Sequence, residues 1–127
     1  MPYAKVNDIR LYYEEQGQRD PLVLLHGATG AVDFHLAGWG HLAPAFAERY
    51  RAIQIEHRGH GRTTNPAGTL AYDQLADDVA AFITQLNVAP ADLAGVSDGA
   101  VIAMALAMTR PELVRTLVMV GANATND

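Results

Sequence analysis

The chain has 127 residues, no cysteine, and nine Lys and Arg against fourteen Asp and Glu, for a formal net charge of -5. That length suits a single domain spanning 1–127, and the absence of thiols excludes disulfides and cysteine chemistry. The cations are scattered without a basic run, which argues against nucleic acid or an anionic membrane surface as a partner.

Two short strands are predicted first, at 3–6 and 9–14, separated by the tight-turn dipeptide Asn7-Asp8. After a polar turn, the continuous apolar run at 22–25 between Pro21 and Gly27 reads as a strand buried on both faces. Trp39, Leu42, Ala43, Phe46, Ala47 and Tyr50 then recur at helical spacing, but Pro44 fits only a first helical turn, so the regular helix should be short. A strand is predicted at 51–56 and a Gly/Thr/Pro loop at 58–68. Next comes a helix capped by Asp73, whose apolar stripe is Leu75, Val79, Phe82, Ile83 and Leu86. A strand at 93–96 leads into Ser97. The helix over 99–108 is apolar all round and should be enclosed by other layers. Pro111 ends it, and 115–120 is the last strand. Strands alternating with helices imply an α/β fold, a mostly parallel twisted sheet covered by helices on both faces. No stretch is long and apolar enough for a bilayer span, and the first residues lack a signal peptide's apolar block. The expectation is a cytoplasmic protein.

Gly95-Val96-Ser97-Asp98-Gly99 is a G-x-S-x-G motif placed where a predicted strand meets a predicted helix. That is the setting of a nucleophile elbow, in which a strained turn presents the serine and two glycines let strand and helix approach closely. The helix start behind Ser97 favours negative charge developing there, and Ser97 is the only serine in the chain. A second turn, His26-Gly27-Ala28-Thr29-Gly30, ends the strand at 22–25, and a third segment runs Glu56-His57-Arg58-Gly59-His60-Gly61-Arg62-Thr63.

In these three ordered motifs the sequence resembles the α/β-hydrolase superfamily, esterase- and lactonase-like members included, and the likeness extends from the opening strands to Val120. The resemblance implies that the backbone N–H groups of Ala28 and Asp98 form an oxyanion hole, where each donor can be worth about 3 kcal/mol to the transition state. It makes Gly27 part of a His-Gly turn whose backbone does the work, with His26 structural first. It likens the third segment to an Asp-x-Arg-Gly-x-Gly-x-Ser loop, with Glu56 and Thr63 as departures. Arg58 would tie loops together there, and Gly59 and Gly61 would permit the sharp path.

The family's triad follows the order Ser, acid, His. All five histidines here (His26, His35, His41, His57 and His60) precede Ser97, so one copy of this chain cannot assemble that triad. The chain reads as a truncated α/β-hydrolase fold without lid or last two strands. The expected activity is cofactor-free hydrolysis of small carboxylic esters by Ser97. The proton would go to His26, His35 or a partner's group. An alternative is a metal-assisted hydrolase using His26, Asp33, His35, Glu56, His57, His60 and Asp98 at the carboxyl edge of the sheet. A non-catalytic remnant is the other. The apolar strand 117–120 would form a sheet edge, which implies a homodimer or higher oligomer through that edge.

Overall fold

The structure, a computed structural model, describes residues 2–28, 30–32 and 38–121. Strands β1 (Tyr3–Val6) and β2 (Ile9–Gln16) form an antiparallel hairpin, and β2 pairs antiparallel with β4 (Arg51–Ile55). From there the sheet is parallel: β4 beside β3 (Pro21–Leu25), then β5 (Ala91–Val96), then β6 (Val114–Val120). The spatial order is β1-β2-β4-β3-β5-β6.

The period-2 alternation of β3 divides the core into two. Val23 and Leu25 join a large cluster with Ile53, Leu93 and residues of α2 (Tyr72–Leu86) and α3 (Asp98–Thr109). Leu22 and Leu24 face the other way, onto Trp39 and Ala43 of α1 (Ala43–Phe46). Helices thus cover both faces of the sheet. Phe82 and Ile83, at the centre of the α2 stripe, are fully buried, and Phe82 meets the Tyr13 ring edge-on at 5.1 Å. Each such side chain contributes about 1.5–3 kcal/mol by leaving water.

Four local expectations are revised. The helix at 39–50 shrinks to the four residues of α1, with Pro44 in its first turn, and flanking turns carry the remaining apolar positions. Asp73 does not cap α2: Ala71, in extended conformation, precedes the helix, and the Asp73 carboxylate accepts the neighbouring Gln74 N–H inside the first turn. The fifth strand starts two residues early, at Ala91. Nor is α3 enclosed, since Met108 is 75% exposed and Val101, Met104 and Ala107 are only half-buried. Among the described residues, layers pack on its sheet and α2 sides only. No helix among them is long and apolar enough to cross a membrane.

Candidate active site

Strand β5 hands the chain to α3 through Ser97, whose φ of 54° and ψ of -117° are an unusual conformation for a residue with a Cβ. A single such residue costs on the order of 1–3 kcal/mol and persists only where its surroundings over-determine it. Here the flanking glycines do so. A Cβ on Gly95 would collide with the Gly99 carbonyl, and one on Gly99 with the carbonyls of Leu25 and His26. The start of α3 is therefore pressed onto the end of β3, which no larger residue would permit. The Ser97 N–H donates to the Val120 carbonyl at 2.8 Å, and the serine is left exposed.

Beside it lies a cleft of about 400 Å³ walled by Ala28, His60, Leu70, Ala71, Tyr72, Leu75 and Asp98. Ala28 follows the His26-Gly27 turn, and Asp98 is the first residue of α3, where helical N–H groups lack partners within the helix. The two expected oxyanion residues therefore share one opening. Tyr72, at the first position of α2, donates its hydroxyl to the Asp98 carboxylate at 2.8 Å. This bond raises the pKa of the Tyr72 phenol, with burial adding to the effect. Leu70 and Tyr72 on the cleft wall were not legible as site residues. They lie in a loop end and a helix start 26 or more positions from Asp98, and no periodicity or motif links them to it.

His26 is buried with both ring nitrogens committed. Nδ1 is 2.6 Å from the Gly27 carbonyl, and Nε2 accepts the His57 backbone N–H at 3.0 Å. That pairing defines a neutral ring protonated on Nδ1. Burial lowers its pKa to about 4, against a smaller upward pull from the Gly27 carbonyl. Ser97 finds no proton acceptor in it, so His26 is corrected from candidate base to a brace for the turn that carries Ala28. His35, the other candidate base, lies outside the described residues, as does Asp33. His57 stacks edge-on against His26 at 4.4 Å, and its buried Nε2 meets no hydrogen-bond partner among the described residues. Burial drives its pKa well below the usual histidine range. His60 reaches the cleft wall, with Nδ1 2.9 Å from the Arg58 carbonyl.

The loop after β4 is built around two buried charges. Glu56 accepts the backbone N–H groups of Val32 and Arg62 and the Arg62 guanidinium. Burial pushes its carboxyl pKa up, but these donors outweigh that and leave it below the ordinary value. Gly61, at φ 54°, passes so close that a Cβ there would strike the Glu56 carboxylate. Thr63 donates its hydroxyl to the Glu56 carbonyl at 2.7 Å and accepts the Tyr12 N–H at 2.9 Å. Arg58 is 2% exposed and grips both oxygens of Asp78 on α2, at 2.8 and 2.9 Å, while also reaching Asp8 in the β1–β2 turn.

Among the described residues no group of three or more His, Asp or Glu is arranged to hold a metal ion. The reason is local. His26 is used by the turn, Glu56 by Arg62 and Val32, and Asp98 by Tyr72. Asp33 and His35, the other groups of the metal-assisted alternative, lie outside the described residues.

A family model described as the alpha/beta hydrolase fold matches residues 20–127. Pyrrolizixenacetamide deacetylase of Xenorhabdus hominickii is 34% identical over 122 residues, covering 96% of this chain and 45% of the relative. 3-Oxoadipate enol-lactonase 2 of Acinetobacter baylyi is 32% identical over 106 residues, covering 83% of this chain and 39% of the relative. A solved structure of an N-acyl homoserine lactone degrading enzyme superposes with a TM-score of 0.86 at 31% identity, covering 95% of this chain and 45% of that one. The chain spans less than half the length of these relatives.

Proposed function

The chain belongs to the alpha/beta hydrolase fold family, and from that premise we propose that it carries the nucleophile and oxyanion hole of a hydrolase for small carboxylic esters. The observation supporting this most directly is Ser97 itself, exposed at φ 54° between two glycines that admit no side chain. In this reading the Ser97 Oγ attacks the ester carbonyl carbon and the displaced electron pair settles on the carbonyl oxygen. The backbone N–H groups of Ala28 and Asp98 hold that oxyanion. Collapse expels the alcohol and leaves an acyl group on Ser97, which water then removes. The deacetylase and lactonase among the relatives fit the same acyl-transfer class. Because His26 is committed elsewhere, the serine proton passes to His35, to His60 on the cleft wall, or to a group from a second copy joined through β6. No cofactor enters the scheme.

The test is hydrolysis of a short-chain activated aryl ester by the wild-type chain and by Ser97→Ala. Oxyanion donors and binding alone can sustain on the order of 10³–10⁴-fold over water, so turnover above background is expected from the wild type, with Ser97→Ala at background. Equal rates would reduce the elbow to architecture, and no turnover from either would favour the non-catalytic remnant.

A further inference from the structure

The cleft has a charge of its own. Asp98 stands on its wall one residue after Ser97, and the Tyr72 hydroxyl holds its carboxylate in place at 2.8 Å. Among the described lining residues none is Lys or Arg, and the rest of the wall, Leu70, Ala71 and Leu75, is apolar. The helix start behind Ser97 supplies a positive end worth about half a charge, against a full negative charge on Asp98, so the sum is negative. His60 and Tyr72 are the other titratable side chains among the described lining residues. The His60 Nδ1 is tied to the Arg58 carbonyl at 2.9 Å. An opening of about 400 Å³ is no wider than the Debye length of about 8 Å at physiological salt. Any substrate group seated there lies within unscreened reach of Asp98.

We propose that the Tyr72–Asp98 pair is a specificity device that turns away substrates carrying a carboxylate or other anion and admits neutral acyl groups against Leu70 and Leu75. Tyr72 acts as a positioning residue: its hydroxyl fixes the carboxylate on the wall. This rests on the reading of Ser97 as the nucleophile, and the experiment separates the two.

The full chain is treated with a neutral alkyl fluorophosphonate and, separately, with its counterpart of equal length ending in a carboxylate. In each case the Ser97 Oγ bonds to phosphorus, fluoride leaves with the phosphorus–fluorine electron pair, and the serine proton goes to solvent. Intact-protein mass measures both labelling rates, and their ratio is the readout, so a general change in reactivity cancels. We expect the neutral reagent to label about tenfold faster at low salt. The ratio should approach one at about 1 M salt, where the Debye length is about 3 Å. Asp98→Asn should bring the ratio toward one at low salt, Asp98→Glu, which keeps the charge, should preserve it, and Tyr72→Phe, which frees the carboxylate from the wall, should lower it part of the way. The salt arm needs no variant and stands if a substitution impairs folding. A wild-type ratio near one, or one that salt and Asp98→Asn leave unchanged, overturns the proposal while Ser97 labelling upholds the nucleophile. Failure of both reagents to label Ser97 overturns the nucleophile reading and this proposal with it.

Discussion

His26 shows how one ring can serve the fold only while uncharged. Its Nε2 must keep a lone pair for the His57 N–H, and a second proton would turn that bond into a clash of donors. Unfolded, the ring takes its proton near 6.5; folded, it resists until about 4. Between those values the unfolded chain binds more protons, so this contribution is complete above about 6.5 and is lost as pH falls to about 4. A depression of that size corresponds to about 3 kcal/mol. His57, held low by burial, acts in the same direction. Glu56, whose carboxyl is depressed by Arg62, adds a further loss once pH falls below its ordinary range. Denaturant midpoints measured from about pH 7 to about pH 5 should therefore fall, and His26→Asn should flatten the slope. An unchanged slope in the variant would show that the neutral ring is not what the acid removes.

At the level of elements, Arg58 joins what the backbone leaves apart. Its guanidinium binds Asp78 on α2 and Asp8 in the β1–β2 turn, while its own backbone begins the loop after β4. Arg58→Met would strand the Asp78 carboxylate, which is 3% exposed. Breaking a buried pair from one side costs about 3–5 kcal/mol. The expected result is a lower denaturant midpoint at unchanged m-value, and adding Asp78→Asn should recover part of it. If Arg58→Met unfolds like the wild type, the three elements are held by packing alone. The strands and α2 were legible because their burial follows simple periods: the run at 22–25, and the stripe from Leu75 to Leu86. The elbow was legible because close approach demands glycine at Gly95 and Gly99. What the Asp98 side chain touches was not, because the Tyr72 bond depends on how α2 is laid across the sheet. Nor was the commitment of His26, which rests on a backbone donor 31 positions away.

Taken whole, the molecule has one flank unlike the rest. β6 pairs with β5 alone among the described strands, and Val118, Met119 and Val120 are 55%, 44% and 48% exposed. The apolar pattern of 117–120 suits an interior strand, and among the described residues no strand pairs with its outer edge, an arrangement that invites a second strand. We expect this chain to self-associate there, as sedimentation velocity at micromolar concentration would reveal, and Val118→Lys to shift it to monomer. A well-folded wild-type monomer would overturn that expectation. The same flank reaches the serine through the bond from the Ser97 N–H to the Val120 carbonyl. One amide proton thus serves as a gauge of two events: its exchange with solvent records whether the last strand is seated, and so whether the serine is still cocked.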